Sequence, residues 1–88
     1  MRILISNLST YANERQVRDL FSLHGEVSSV TIVYDKFSNR SRGFGYVEMA
    51  VHEAGEKAIS KLNNTLFMDK KIQVSGVGHT GMAGFGKK

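Results

Sequence analysis

Hydrophobic and polar residues alternate in three segments of the chain, and this two-residue period predicts β-strands. The segments are residues 2–7, 27–34 and 42–49, all of which contain β-branched or aromatic residues. In the third segment, alternation points Val47 and Met49 to one side and Phe44 and Tyr46 to the other. A predicted strand with apolar residues on both sides has one face for the core and a second face that needs another explanation.

Spacings of three and four residues predict two helices. Asn13 is the N-cap of the first helix, with Gln16 placed to complete a capping box. The apolar face of this helix is Val17, Leu20, Phe21 and His24. The second helix covers about residues 51–62, with an apolar face of Ala54, Ala58, Ile59 and Leu62. Residues 66–67 and 71–74 then flank Asp69 and Lys70, which predicts a β-hairpin that ends in the last strand.

The element order is strand, helix, strand, strand, helix, strand. It predicts an α+β, ferredoxin-like β-α-β-β-α-β sandwich, with a four-stranded antiparallel sheet and both helices on one face. The other face, called the open face below, is then uncovered by any predicted element. Alternation assigns the following residues to it: Arg2, Leu4, Ser6, Thr31, Val33, Arg42, Phe44, Tyr46, Glu48, Lys71, Gln73 and Ser75.

These residues suit unpaired nucleotides. The rings of Phe44 and Tyr46 can stack on bases, an interaction worth roughly 1–3 kcal/mol per base. Arg2, Arg42 and Lys71 surround the rings with positive charge for phosphates. Three further polar side chains can hydrogen-bond to the exposed base edges of a single strand, namely Thr31, Gln73 and Ser75.

The composition is consistent with this interpretation. The 88 residues include 12 Lys and Arg against 8 Asp and Glu, a net charge of +4 that favours a polyanionic partner. The absence of cysteine excludes disulfides, thiolate metal sites and cysteine nucleophiles. No catalytic motif, metal site or cofactor site is recognisable. We expect a cytoplasmic monomer with no membrane-spanning segment, comprising a domain over residues 1–76 and a flexible, glycine-rich basic tail over residues 77–88.

Two short segments resemble the signature sequences of a known family. Residues 42–49, RGFGYVEM, resemble the RNP octapeptide of the RNA recognition motif at every position but the last, where Met49 replaces an aromatic residue. Residues 3–8, ILISNL, look like its partner hexapeptide, and the similarity extends over about residues 1–75. The resemblance implies single-stranded RNA as the ligand, Tyr46 as a base-stacking ring and Phe44 as a ring that packs against sugars.

The chain departs from the family pattern at Leu4, where the family usually has a third aromatic residue. An aliphatic side chain offers apolar contact without stacking, so we expect binding weaker by about 1 kcal/mol than with three rings. Leu4 also keeps a second interpretation open, a protein-interaction module on the same scaffold. Single-stranded DNA stays open as a ligand, because stacking does not depend on the sugar.

The RNA-binding residues predicted from the sequence are Arg2, Leu4, Arg40, Arg42, Phe44, Tyr46, Lys71, Gln73 and Ser75. Arg40, in the loop after the second strand, is either a phosphate contact or a solvated charge. Phe37, in the same loop, is expected to be a local packing anchor. Glu48 is expected either to accept a hydrogen bond from a base amine or to pair with a neighbouring cation, Lys71 or Arg2. Gly43 and Gly45 are expected where the helices pack close to the strand.

Overall fold

The computed structural model describes residues 1–77. Its elements are β1 (Arg2–Ser6), α1 (Glu14–Ser22), β2 (Val27–Tyr34), β3 (Ser41–Met49), α2 (His52–Leu62), β4 (Thr65–Phe67) and β5 (Lys70–Gly76). Val77 follows β5 and donates its N–H to the carbonyl of Arg2 at 2.8 Å. The rest of the predicted tail, residues 78–88, lies outside the described residues.

The strands form one sheet in the order β2-β3-β1-β5-β4, in which every neighbouring pair is antiparallel. The predicted α+β fold is confirmed, but the sheet has five strands instead of four. The additional strand is β4, which pairs with β5 through a two-residue turn. Met68 and Asp69 form that turn with φ of 52° and 66°, the left-handed backbone that tight hairpins require. The predicted hairpin therefore exists, with its turn one residue earlier than expected.

One face of the sheet and both helices enclose the core. The sheet contributes Ile3, Ile5, Ile32, Val47, Met49, Ile72 and Val74, and the helices contribute Val17, Phe21, Ala58 and Leu62, all of them buried. The alternation predicted from the sequence is confirmed, because the residues between these positions on β1, β3 and β5 are half-buried or exposed. Burial of one face against the helices therefore fixes which side chains the open face displays.

The helix ends follow from local side-chain chemistry. The Asn13 side chain accepts from the Gln16 N–H at 2.8 Å, and the Gln16 side chain accepts from the Asn13 N–H at 3.0 Å, which confirms the capping box. Since α1 ends at Ser22, His24 lies beyond the helix and is half-buried. The prediction that His24 belongs to the apolar face of this helix was therefore wrong. Neither helix in residues 1–77 combines the length and apolar character needed to cross a membrane.

The two glycines of β3 are not explained by a close approach of the helices, as was predicted. A Cβ on Gly45 would collide with the carbonyl oxygen of Thr31 and lie 3.0 Å from the Cα of Ile32, so the neighbouring strand β2 leaves no room for a side chain. Gly43 has φ of 82°, a conformation that other residues rarely adopt. Its carbonyl accepts the N–H of Leu8 at 2.8 Å, which fixes the start of the β1–α1 loop against β3.

Candidate nucleic-acid interface

The strand register brings residues of four strands into one row across the open face. Tyr46 is the cross-strand partner of Leu4 on one side and of Thr31 on the other. Leu4 is in turn the partner of Ser75 on β5. Directly opposed residues lie close enough for their side chains to interact. The row therefore places one aromatic and one aliphatic surface between two hydroxyl groups, Thr31 and Ser75.

Phe44 and Tyr46 form an edge-to-face pair. Their ring centroids are 6.4 Å apart and the ring planes meet at 85°. This is a favourable arrangement of aromatic quadrupoles, so each ring restrains the orientation of the other. Both rings are half-buried and neither belongs to the core. The pair therefore presents apolar ring surface at a fixed angle on the open face.

The Arg2 guanidinium lies over the Tyr46 ring, with its central carbon 4.7 Å from the ring centroid. Such a cation–π contact orients the cation beside the stacking surface. Glu48 is the cross-strand partner of Arg2, but its carboxylate lies 3.4 Å from the amino group of Met1. Glu48 thus pairs with the amino group of Met1, and not with Lys71 or Arg2 as considered from the sequence.

A concavity of about 530 Å³ extends from Tyr46 and Phe44 towards the β1–α1 loop. Its lining is Leu4, Ser6, Asn7, Leu8, Thr10, Arg42, Gly43, Phe44, Tyr46 and Lys70. Apolar surface is thereby combined with two cations, Arg42 and Lys70. A negatively charged ligand with flat apolar groups is the chemistry that this lining favours.

Six residues of this lining were not among the predicted RNA-binding residues: Ser6, Asn7, Leu8, Thr10, Gly43 and Lys70. Lys70 begins β5 and has the same parity as buried Ile72, so alternation alone gives it no place on the open face. Asn7 and Thr10 lie after β1, where strand alternation no longer applies. Asn7 has φ of 56°, and its side chain donates to the Lys71 carbonyl at 2.8 Å, so it joins the end of β1 to β5.

Two predicted residues of β5 are placed less centrally. Lys71 is exposed opposite Leu66 of β4 and is not in the lining of the concavity, where Lys70 lies instead. The Gln73 side chain donates to the Asn64 side chain at 2.7 Å, which engages one of its two N–H groups. Gln73 therefore retains a donor and an acceptor for a ligand, in an orientation set by Asn64.

The β2–β3 loop contains the remaining predicted residue, Arg40, and corrects the prediction for Phe37. The loop is closed by the Asp35 N–H to the Arg40 carbonyl and by the Asn39 N–H to the Asp35 carbonyl, both at 2.8 Å. The Asp35 side chain also accepts from the Phe37 N–H at 2.8 Å. Phe37 is 97% exposed, so it is not a packing anchor: backbone hydrogen bonds, with no help from its ring, shape the loop.

Tyr34, at the end of β2, has a phenol with a raised pKa. Partial burial raises the pKa of its phenol above the usual 10.0, and the hydrogen bond to the Glu14 carboxylate and the charge of that carboxylate act in the same direction. The phenol donates to Glu14 Oε1 at 3.2 Å, so it joins β2 to the start of α1. Within residues 1–77, no group of three or more His, Asp or Glu side chains could hold a metal ion.

Comparison with known proteins gives a consistent set of matches. Residues 3–73 match the RNA recognition motif. The small ribosomal subunit protein cS22 of Spinacia oleracea is 35% identical over 84% of this chain and 28% of its own length. A polyadenylate-binding protein, cytoplasmic and nuclear, of Chaetomium globosum is 36% identical over 82% of this chain and 9% of its own length. The chain therefore corresponds to a small part of these curated relatives.

Solved structures agree with the architecture. The crystal structure of RNA Binding Protein PG1 superposes with a TM-score of 0.83 at 33% identity, over 85% of this chain and 90% of that chain. A chain of the Sxl-lethal protein–RNA complex superposes with a TM-score of 0.80 at 26% identity, over 84% of this chain and 46% of that chain.

Proposed function

Because this chain belongs to the RNA recognition motif family, we propose that it binds short single-stranded RNA on the open face, without a catalytic step. One observation carries the proposal: the Phe44–Tyr46 pair presents ring surface next to Arg2, with Arg42 in the same concavity. Bases stack on such rings and cations contact the phosphates between them. Relatives whose names refer to polyadenylate binding or to a complex with RNA support the same ligand.

We assign the roles as follows. Tyr46 stacks on one base, and Phe44 packs against the adjoining sugar and base edge. Arg42 and Lys70 contact phosphates from the edge of the concavity. Thr31 and Ser75, at the two ends of the central row, hydrogen-bond to base edges. With two rings and few edge contacts, we expect limited sequence preference, suited to RNA folding or to post-transcriptional regulation by a cytoplasmic monomer.

The test is a fluorescence-anisotropy titration with short single-stranded RNA. Tyr46→Ala should weaken binding by roughly 5- to 150-fold, which corresponds to the loss of one stacked base, and Phe44→Ala should also weaken it, because its packing against the sugar and base edge is lost. Leu23→Ala is the matched control, because Leu23 is an exposed apolar residue at the end of α1, away from the open face. Unchanged affinity in both ring variants, with the fold intact by circular dichroism, would contradict the proposal.

A second candidate is peptide binding on the same face. It is favoured by aliphatic Leu4 in the central row and by Leu66, which is 74% exposed on β4 opposite Lys71. The two functions differ in their response to salt. RNA binding releases counterions from the phosphates, so its affinity falls steeply as salt rises. An apolar peptide contact is almost insensitive to salt.

A further inference from the structure

A second, smaller concavity of about 190 Å³ lies between two loops beside the open face. Its lining includes Thr10 and Tyr11 of the β1–α1 loop and Arg40 of the β2–β3 loop. Thr10 also lines the larger concavity, together with Phe44 and Arg42. The two concavities are therefore neighbours that share Thr10, with Phe44 in the larger one and Tyr11 in the smaller one.

The Tyr11 ring is 87% exposed although the backbone around it is firmly held. The Tyr11 N–H donates to the Ser9 side chain at 3.1 Å, and the Ala12 N–H donates to the Ser9 carbonyl at 3.1 Å. Ser9 and Ala12 are both buried, and Leu8 before them is tied to Gly43. The loop thus fixes its backbone against the domain and displays one aromatic ring to solvent.

Arg40 lines the same concavity from the β2–β3 loop, whose backbone is also held by hydrogen bonds. Its carbonyl accepts the Asp35 N–H at 2.8 Å, and its own N–H donates to the Ser38 side chain at 3.3 Å. These bonds hold Arg40 at the base of the loop, adjacent to β3. A tyrosine ring and a guanidinium on one small concavity combine a stacking surface with a phosphate donor. The chemistry is that of the open face, repeated beyond its edge.

We propose that Tyr11 and Arg40 form a further nucleotide subsite, which takes one base of the RNA as it leaves the sheet past Phe44. The base stacks on Tyr11, and Arg40 donates to the phosphate that joins this nucleotide to the one over Phe44. The subsite rests on the proposed function, because it is defined as a continuation of the RNA bound on the open face. Both loops are ordered by their own hydrogen bonds, so little backbone rearrangement opposes binding.

The experiment measures affinity for a series of oligouridylates lengthened one nucleotide at a time. For the wild type, affinity rises until the subsite is filled. Tyr11→Ala should match the wild type on the shortest oligonucleotides that bind, and should be at least about fivefold weaker on the longest, so that its affinity stops rising one nucleotide earlier. Tyr11→Phe should restore the full series, since the ring is kept.

Arg40→Gln gives an independent readout. On the long oligonucleotides it should reduce the slope of log affinity against log salt by about 1, and on the shortest it should leave the slope unchanged. Leu23→Ala serves as the exposed apolar control. If the wild type binds the series and Tyr11→Ala binds every length as tightly as the wild type does, the proposed subsite is wrong while RNA binding stands. If the wild type binds no oligonucleotide, the proposed function itself fails, and the subsite with it.

Discussion

The guanidinium of Arg2 lies over the ring of Tyr46, with its central carbon 4.7 Å from the ring centroid. The two residues are on adjacent strands, because Tyr46 pairs with Leu4, two residues after Arg2. A base that stacks on Tyr46 must therefore share the ring with the guanidinium or displace it. In either case we expect the charge to stay within reach of the phosphates, so that in the proposed complex Arg2 links base stacking to phosphate contact.

Arg2→Gln tests this coupling. It should weaken RNA binding at low salt and reduce the slope of log affinity against log salt by about 1, because one phosphate contact is lost. Anisotropy titrations across a range of salt concentrations give both quantities. Lys57→Gln removes an exposed charge from α2, on the helix side of the sheet, and should leave the slope unchanged. Equal slopes for wild type and Arg2→Gln would show that Arg2 makes no phosphate contact.

Leu4→Phe should tighten RNA binding by about 1 kcal/mol, since it adds a ring to the central row between Tyr46 and Ser75. Leu4 is half-buried on the open face, so a larger side chain can extend towards solvent without entering the core. Isothermal titration calorimetry with one RNA measures the gain. Leu4→Ala is the companion variant and should bind no more tightly than the wild type. A Leu4→Phe variant with wild-type affinity would exclude a base over this position.

For most strand residues the face could be predicted from the sequence, because burial of one face enforces alternation. Ile3 and Ile5 are buried, as their positions between Arg2, Leu4 and Ser6 require. The capping box could be predicted because it is local, involving only Asn13 and Gln16. The segments that resemble the RNP signatures include Phe44 and Tyr46, whose rings form an edge-to-face pair on the open face; their role in stacking stays a prediction.

Features that depend on contacts between distant segments were not predictable in the same way. The need for glycine at position 45 comes from the backbone of Thr31 and Ile32 on the neighbouring strand. Lys70, the first residue of β5, lines the concavity although it has the same parity as buried Ile72, so alternation alone did not predict its place.

Phe37→Ser should leave the free energy of unfolding within about 0.5 kcal/mol of the wild type. The reason is the 97% exposure of the ring, together with a loop held by the hydrogen bonds of Asp35. Chemical denaturation followed by circular dichroism gives the comparison. Asp35→Ala, which removes the side-chain acceptor of the Phe37 N–H, should be the more destabilising of the two. A large loss of stability in Phe37→Ser would restore the role of a packing anchor.

Gly45→Ala should destabilise the fold by about 1–3 kcal/mol, because the new methyl group meets backbone atoms that side-chain rotation cannot move. The clash is with the Thr31 carbonyl of β2, so the β2–β3 pairing next to Tyr46 should loosen first. Thermal unfolding measures the loss, and amide hydrogen exchange locates it. Thr31→Ala, a truncation of an exposed side chain on the same pair of strands, is the control and should have a small effect. A Gly45→Ala variant as stable as the wild type would show that the strands can separate at little cost.

The stability difference between the wild type and Tyr34→Phe should depend on pH. Its direction follows from the raised pKa of the Tyr34 phenol. That pKa is raised by burial first and then by the hydrogen bond and charge of Glu14, so the folded state favours the protonated phenol. Below the usual pKa of 10.0 the phenol is protonated in both states, and its bond to Glu14 contributes fully. As the pH rises further, the unfolded chain ionises first, and the contribution falls until the folded state ionises too.

The difference in unfolding free energy between wild type and Tyr34→Phe should therefore be constant near neutral pH and shrink in alkali. Denaturation curves of both proteins measured in parallel cancel the titration of the lysines. A difference that stays the same into alkaline solution would show that the Tyr34–Glu14 contact has no linkage to folding.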